Sequence, residues 1–308
     1  MEHLSVLLDE AIQGLKIKPQ GIYVDCTFGR GGHSKEILQR LENEGQLLAI
    51  DRDLTAIQSE LAIKMARNPS FSIHHGCFSE LVEKLNQCDI RNQVDGLLMD
   101  LGVSSPQLDV AERGFSFMRD GPLDMRMDPS KGLSAAEWLR QVDEPSLTRV
   151  LFEYGEERFA RRIARAIIAR RVESPLTTTR DLAQLIEKTV PKREKHKHPA
   201  TRSFQAIRIE INNELEEIKQ GLLQATKVLK PGGRLVVISF HSLEDRIVKR
   251  FFRKESGRKE DPGRLPIKEA DIEQGVLKIT GKAVKAGQHE LQKNPRARSA
   301  IMRIAEKV

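Results

Sequence analysis

Two groups of residues early in the chain have the types and the spacing to bind an adenosine-containing ligand. Glycines at positions 29, 31 and 32 follow the β-prone run Tyr23–Cys26 and precede an amphipathic helix pattern. Glycine suits a strand end where the backbone turns sharply and a ligand comes close. Asp51 ends the next apolar run, 22 residues after Gly29, and a carboxylate there can accept hydrogen bonds from both hydroxyls of a ribose. Loop and acid together predict an adenosine-containing cofactor.

The glycine loop departs from the two common phosphate-binding patterns. Ser34 stands where a dinucleotide fingerprint GxGxxG would have its third glycine, and the chain contains no GxxxxGK[ST] run. S-adenosylmethionine has no phosphates, and it needs close backbone approach together with a carboxylate for its ribose. The pattern therefore favours S-adenosylmethionine. A nicotinamide-dependent reductase is the alternative, since it would also use the loop and Asp51.

Three more candidate residues follow predicted strands. The apolar run Val94–Met99 brings Asp100 to the carboxyl edge of a sheet. There it could accept a hydrogen bond from the exocyclic amine of a base, contact the cofactor, or be merely structural. Phe78 could pack on an adenine ring, or it could be an ordinary core aromatic. His241 could act as a base or bind a phosphate, but a lone histidine at a strand end is more often structural.

The elements that position these residues alternate between strand and helix patterns, which predicts an α/β fold with a mostly parallel sheet. Right-handed crossovers would place the cofactor at the carboxyl ends of the strands. A final run, Ser299–Ala305, is predicted to be an edge strand. The other predicted strands are Tyr23–Cys26, Leu47–Ile50, Phe71–His74, Gly96–Asp100 and Arg234–Ser239.

A helical insertion interrupts the predicted sheet. The stretch 107–131 is rich in Gly, Pro, Asp, Arg and Met and predicts a long ordered loop. The basic loop 191–199 is a candidate boundary, and Phe204–Leu229 predicts one long helix. We therefore divide the chain into residues 1–105, an all-helical inserted domain at 106–201, and residues 202–308. The helices predicted inside the insertion cover residues 135–141, 145–152, 156–171 and 179–190.

Composition is that of a globular intracellular protein. The 308 residues are 39% hydrophobic and 31% charged, and no apolar run approaches the length of a membrane span. The first residues lack the basic and apolar regions of a signal peptide, and the three cysteines have no CxxC spacing. We expect a cytoplasmic protein without disulfides. We also expect no metal site, because His196 and His198 have no acids or cysteines near them apart from Glu194.

Positive charge is concentrated in one segment. The chain carries a formal charge of +7, and residues 158–202 contain 13 Lys/Arg against 4 Asp/Glu. Further basic clusters lie at 249–254 and 293–299. Such clusters neutralise phosphates, so we expect a nucleic-acid partner, although a solvated basic helix face would have the same composition. An RNA-binding assembly factor that merely binds the cofactor is a second alternative.

Taken in order, the motifs closely resemble the bacterial small-subunit ribosomal RNA cytosine-N4 methyltransferases, the RsmH or MraW family. The resemblance spans nearly the whole chain. The runs that carry it are His3–Leu8, Asp25–Ser34, Ile50–Asp53, Asp100–Asp109, Gly114–Phe117, Pro122–Met127, Ser239–Arg246 and Asn294–Ser299.

The resemblance implies a class I methyltransferase fold with a helical insertion. It implies methyl transfer from S-adenosylmethionine to the N4 amine of one cytidine in 16S ribosomal RNA near the decoding centre, with the RNA or the small ribosomal subunit as partner. It leaves a homodimer open. Asp100 is our candidate catalytic residue. The cofactor contacts implied by the resemblance are Gly31, Gly32, His33, Asp51, Phe78, Asp100 and Gln107.

Overall fold

The computed structural model describes residues 5–42, 44–90, 93–191, 198–257 and 274–308. Contacts divide the chain into two compact units. The first contains the residues up to Gly102 and those from Leu215 onward, and the second contains Val103–Glu214. Within the described residues, no helix is long and apolar enough to cross a membrane.

The first unit is built on one mostly parallel sheet. Its strand order is β3-β2-β1-β4-β5-β8-β6, with β7 paired to β8. Strands β1 to β5 are parallel to one another, and β8 runs antiparallel to β5, β6 and β7. The predicted Rossmann-like, mostly parallel α/β sheet is therefore confirmed. The strands are β1 (Ile22–Asp25), β2 (Gln46–Asp51), β3 (Phe71–His75), β4 (Val94–Asp100), β5 (Leu229–Ser239), β6 (Leu277–Ile279), β7 (Val284–Lys285) and β8 (Ile301–Lys307).

Helices cover the sheet of the first unit. Successive residues of the central strands alternate between two apolar clusters, since side chains of a strand point alternately to opposite faces. In β4, for example, Leu97 and Met99 belong to one cluster and Leu98 to the other. The helices of this unit are α1 (Leu8–Leu15), α2 (Gly32–Leu38), α3 (Leu54–Ile57), α4 (Glu60–Met65), α5 (Leu81–Gln87), α12 (Glu214–Val228), α13 (Ser242–Glu255) and α14 (Gln288–Lys293), of which α12 begins at the last residue of the second unit.

The last strand differs from its prediction. The run predicted as an edge strand forms β8, which has β5 on one side and β6 and β7 on the other. The edge prediction was wrong because its partners β6 and β7 are only three and two residues long, too short to show a strand pattern.

In the described part of the second unit, the secondary-structure elements are helices. Its core is a separate apolar cluster that includes Leu147, Ile163, Ile167 and Ile207. The stretch predicted as a long loop opens with α6 and a 3₁₀ turn at Ala111–Arg113 before it becomes irregular. The helices are α6 (Ser105–Asp109), α7 (Ala135–Gln141), α8 (Glu144–Glu153), α9 (Ala160–Glu173), α10 (Thr179–Thr189) and α11 (Thr201–Ile211).

The helix predicted over Phe204–Leu229 is two helices, so that prediction was wrong. α11 ends at Ile211, and α12 begins at Glu214. Between them, Asn213 has a φ of 49°, which interrupts a right-handed helix. The second unit includes all of α11, whereas the predicted insertion ends at the first residue of that helix, Thr201. The predicted domain limits stay a prediction. Most of the basic loop predicted at 191–199, including His196, lies outside the described residues.

Candidate cofactor-binding site

The connection from β1 to α2 depends on its glycines. Gly29 and Gly31 have φ values of 53° and 72°, a backbone region that favours glycine. A Cβ on Gly31 would lie 2.7 Å from Cζ of Phe28, and one on Gly32 would overlap the Ser5 hydroxyl. The loop therefore presents bare backbone at the carboxyl end of β1, as its sequence predicts.

Asp25 ties this loop to the sheet. Its side chain is fully buried at the end of β1. One carboxylate oxygen accepts from Thr27 N at 3.0 Å, and the other accepts from Ser34 Oγ at 2.6 Å. Thr27 Oγ1 in turn accepts from Asp100 N at 2.7 Å. The ends of β1 and β4 and the first turn of α2 are thus joined through one carboxylate and one hydroxyl.

Asp51 lies at the end of β2, as predicted, and is partly exposed. Its two carboxylate oxygens accept from Gly29 N at 2.7 Å and Asp53 N at 2.8 Å. Removal from water, with smaller contributions from the negative charges of Asp53 and Asp25, raises the pKa of Asp51 to about 6 against the lowering effect of the two backbone bonds. Each oxygen retains a second lone pair, so Asp51 can still accept from the hydroxyls of a ribose.

His33 is buried, and both ring nitrogens face protein groups. Nε2 lies 3.1 Å from the carbonyl oxygen of Val6, so this nitrogen is the donor. Nδ1 lies 3.7 Å from Oδ2 of Asp100. The imidazole therefore lies between the N-terminal segment and the end of β4, and the contact of His33 with a cofactor stays a prediction.

Asp100 ends β4 and carries a buried polar atom that lacks a partner. Its Oδ1 accepts no hydrogen bond from the residues that the structure describes. Burial raises its pKa well above the usual range, and the charges of Asp25 and Glu244 raise it further. This oxygen can accept a hydrogen bond, and a positive charge on a ligand would favour the ionised form of the carboxyl.

Phe78 begins a 3₁₀ turn after β3 and is half-buried. It packs against the apolar cluster beneath the sheet and lies close to α12, where a Cβ on Gly221 would be 2.5 Å from Cβ of Phe78. Phe78 is therefore partly a core residue. The part of its side chain that stays exposed can pack against an adenine ring.

Gln107 belongs to the second unit. It is 4% exposed in α6, and its Oε1 accepts from Ser104 N at 2.9 Å, which caps the helix. Among the predicted site residues, the first unit therefore places the glycine loop, His33, Asp51, Phe78 and Asp100 at the carboxyl side of neighbouring strands. The contribution of Gln107 to the same site stays a prediction.

His241 caps a helix, which favours its structural interpretation. It precedes α13, and its Nε2 lies 3.1 Å from Oε1 of the buried Glu244. Glu244 Oε2 accepts from the backbone N–H groups of Phe240 and His241, at 2.7 and 3.2 Å. His241 Nδ1 accepts from Glu244 N at 3.5 Å. Nδ1 therefore caps the helix, and Nε2 faces Oε1 of the same residue, Glu244, without forming a hydrogen bond within the described residues. The side chain is only 12% exposed, which favours the structural role over that of a base.

Sequence reasoning missed the roles of Thr27 and Glu244. Glu244 is fully buried and contributes to the raised pKa of Asp100. Its signal was present, because a glutamate three residues after the N-cap is the spacing of a capping box. The role of Thr27 depends on the pairing of β1 with β4, so no local signal could have shown it.

Three carboxylates therefore end three adjacent strands, β2, β1 and β4. Asp25 raises the pKa of both Asp51 and Asp100, so the charges of these groups interact. A ligand with hydroxyl donors and a positive charge would satisfy the open acceptors and offset this repulsion. S-adenosylmethionine, with a ribose, a sulfonium and an ammonium, fits this set of residues.

Comparisons with known proteins identify the family of the chain. The model of the MraW methylase family matches residues 1–308. The chain is 56% identical over 307 residues to ribosomal RNA small subunit methyltransferase H of Pseudoalteromonas atlantica, covering 99% of this chain and 98% of the relative.

Similarity to solved structures is lower. A candidate rRNA-methylase from Clostridium thermocellum has a TM-score of 0.45 at 12% identity, over 100% of both chains. A SAM-dependent O-methyltransferase from Thermotoga maritima has a TM-score of 0.42 at 10% identity, over 100% of this chain and 68% of its own. The full-length family match and the close relative show that the chain belongs to the MraW methylase family and is an S-adenosylmethionine-dependent methyltransferase of the class I fold.

Proposed function

We propose that this enzyme methylates the exocyclic N4 amine of a cytidine in small-subunit ribosomal RNA, near the decoding centre. The name of the relative from Pseudoalteromonas atlantica supports the small-subunit RNA as substrate. The choice of cytidine N4 and of the decoding centre follows from the family. The observation that carries the chemistry is Oδ1 of Asp100 at the end of β4, which is buried and has no hydrogen-bond partner among the described residues.

The cofactor would be held by the residues predicted from sequence. Backbone of Gly31, Gly32 and His33 would face its amino-acid end, Asp51 would accept from its ribose, and Phe78 would lie against its adenine. Asp100 and Gln107 would lie near the methionine end. The cofactor supplies a methyl group on a positively charged sulfur, which is already activated for transfer.

The remaining task is to present the amine. In cytosine the amine lone pair is delocalised into the ring, so the nitrogen is a weak nucleophile. Asp100 Oδ1 would accept a hydrogen bond from the amine and orient its lone pair for in-line attack. As the N–CH₃ bond forms and the S–CH₃ bond breaks, the amine loses one proton. The raised pKa of Asp100 makes this carboxylate a suitable acceptor for it.

The target base must leave its stack to reach the pocket, at a cost of a few kcal/mol. Phosphate contacts from basic surface segments would offset this cost. In α9 of the second unit, the exposed Arg161, Arg162 and Arg165 are candidates, although Arg165 Nε also pairs with Glu144 Oε1 at 3.0 Å. We further propose a cytoplasmic location, and a homodimer remains a candidate state.

The role of Asp100 is tested with Asp100→Ala and the near-isosteric Asp100→Asn. Cofactor affinity is measured by calorimetry, and methyl transfer is measured separately with tritiated cofactor and small ribosomal subunits. We expect transfer to fall by about 10² to 10⁴ in both variants, as for loss of a group that handles a proton. Loss of cofactor affinity instead would make Asp100 a cofactor contact only, and transfer near the wild-type rate would refute the catalytic role.

The position and chemistry of the product are tested in cells. Ribosomal nucleosides from a strain that lacks the gene are compared by mass spectrometry with those of its parent. We expect one N4-methylated cytidine in the small-subunit RNA to disappear and to return with the wild-type gene. An unchanged nucleoside profile would contradict the proposed function. Free RNA and assembled subunits, offered side by side to the purified enzyme, identify the form that is modified.

A further inference from the structure

The exposed face of α13 carries no negative charge. The exposed residues of this helix are Ser242, Arg246, Lys249, Arg250, Arg253 and Lys254. None of the three acidic side chains of α13 belongs to its exposed face. Glu244 and Glu255 are buried, and Asp245 Oδ1 accepts from Arg303 Nε at 2.7 Å. We define Lys249, Arg250, Arg253 and Lys254 as the α13 cation stripe.

The α13 cation stripe would lower the stability of an isolated helix. Lys249 and Arg253 are four residues apart, as are Arg250 and Lys254, so each pair places like charges side by side. The helix C-terminus favours cations in the last turn, which accounts for Arg253 and Lys254. It does not account for the other two, which lie nearer the middle of the helix.

Some exposed cations in and near other helices of the first unit have acidic partners. In α12, Lys219 Nζ lies 3.0 Å from Glu216 Oε2, and beyond α2, Arg40 Nη1 lies 2.7 Å from Glu36 Oε2. By contrast, no side chain of the α13 cation stripe has an ion pair with a residue in the described ranges. An ordinary solvated face would show mixed signs, so the stripe fits a polyanionic ligand better.

The position of α13 connects the stripe with the reaction. Asp100 pairs with Ile238 in the register of β4 and β5, and α13 begins three residues beyond the end of β5. Glu244, in its first turn, lies beside the end of β4, since a Cβ on Gly102 would be 3.9 Å from its Oε1. At about 1.5 Å per residue, the stripe begins roughly 8 Å along the helix from Glu244.

We propose that the α13 cation stripe binds the sugar–phosphate backbone of the RNA substrate next to the nucleotide that enters the pocket. The stripe covers about 8 Å of helix axis, which matches two or three phosphates of one strand. An acidic protein is a less suitable occupant, because the exposed face of α13 offers no apolar residue for the core of a protein interface. The identity of the RNA rests on the proposed function, whereas the electrostatic argument does not.

The test uses the full-length enzyme and a small-subunit RNA fragment that contains the decoding region. RNA affinity is measured between 50 and 200 mM salt for the wild type and for the variant K249Q/R250Q/R253Q/K254Q. We expect the slope of log affinity against log salt to become shallower by about 1.5 to 2.5, as for the loss of two or three phosphate contacts. The KM for RNA should rise at least tenfold, with kcat, cofactor affinity and the thermal midpoint unchanged.

Matched variants separate position from total charge. K64Q/R67Q removes two exposed cations of the first unit, Lys64 in α4 and Arg67 just after it. This variant should leave the slope of log affinity against log salt nearly unchanged. K249R/R250K/R253K/K254R keeps every charge of the stripe and should retain wild-type binding. If the quadruple glutamine variant does not fold, K249Q/R250Q and R253Q/K254Q test the two halves.

The inference is overturned if the glutamine variants bind RNA with wild-type affinity and salt slope, or if K64Q/R67Q weakens binding to the same extent. Because binding is measured without methyl transfer, failure of the proposed function is seen separately. The wild-type enzyme could methylate another nucleotide while the glutamine variants still lose RNA affinity. That result would contradict the cytidine assignment and support this inference.

Discussion

At the scale of single residues, the site is a set of acids held near one another before any ligand arrives. Asp25 is buried and hydrogen-bonded, while Asp51 and Asp100 have raised pKa values to which Asp25 contributes. Ligand sites commonly keep such strained groups because the ligand relieves the strain. Here the relief would come from hydroxyl donors and positive charge.

We expect cofactor affinity to fall in acid. Asp51 accepts ribose hydroxyls best when ionised, and its pKa in the free protein is about 6. Affinity should be constant above pH 7 and roughly tenfold weaker at pH 5, where about nine-tenths of this carboxyl is protonated. Calorimetry in buffers of different ionisation enthalpy should show net proton release on binding near pH 6.

The same shift fixes the sign of a stability effect. Because the folded pKa of Asp51 lies above the ordinary value of 3.8, the folded state binds more protons between pH 4 and 6. The contribution of Asp51 to the free energy of unfolding of the cofactor-free protein therefore decreases as pH rises through that window. A flat cofactor affinity from pH 5 to 8 would contradict this account of Asp51.

At this scale, the sequence predicted the position of a residue where that residue directly follows or ends a recognisable strand. The glycines, Asp51 and Asp100 follow strands, so topology alone brings them to one edge. His241 was harder, because its partner Glu244 determines what the imidazole does. A motif gives residue types, but only the hydrogen-bond partners decide whether a histidine is available for chemistry.

At the scale of elements, the junction of α11 and α12 shows how long-range bonds override a helical pattern. Asn212 is 3% exposed. Its Nδ2 donates to the carbonyl oxygens of Met125 and Arg208 at 2.7 and 2.9 Å, and its Oδ1 accepts from Met127 N at 2.7 Å. Met125 and Met127 precede Asn212 by more than 80 residues, so these bonds leave no local signal. The local signal is the asparagine at 213, a residue type that ends helices in the left-handed region less often than glycine does.

We expect Asn212→Ala to lower the free energy of unfolding by about 2–4 kcal/mol, because it leaves buried backbone groups unpaired. Asn212→Asp should also be destabilising, since it loses both donors. The adjacent Asn213→Gly is the control. Asn213 is exposed with a φ of 49°, so glycine should be tolerated. Urea unfolding measures all three, and an Asn212→Ala variant as stable as the wild type would contradict the role given to this side chain.

At the scale of the whole molecule, the sequence predicted the α/β architecture because strands buried on both faces are continuous apolar runs. The short partners of β8 carried no such signal. The two units have separate apolar cores, and the acids that would hold the cofactor are all in the first. Ligand binding should therefore stabilise that unit directly.

We expect S-adenosylmethionine at 100 times its Kd to add about 2.7 kcal/mol to the free energy of unfolding of the first unit. Hydrogen exchange of backbone amides in β1, β2 and β4 should slow accordingly. Adenosine at the same concentration, which lacks the sulfonium and the ammonium, should have a much smaller effect. Equal protection by both compounds would show that the acids do not contribute through charge.

The three acids at the strand ends also bear on which metabolites stay out of the site. Most adenosine in a cell is attached to phosphates, as ATP, ADP or NAD, and these compounds are far more abundant than methyl donors. These compounds and S-adenosylmethionine share the adenosine group. The groups attached to the ribose differ in charge, with negative phosphates in the former and a positive sulfonium in the latter. A site edged by Asp51 and Asp100, with Asp25 buried between them, would repel phosphorylated compounds. The enzyme would then select its donor by electrostatics even where the shape of the adenosyl group cannot discriminate.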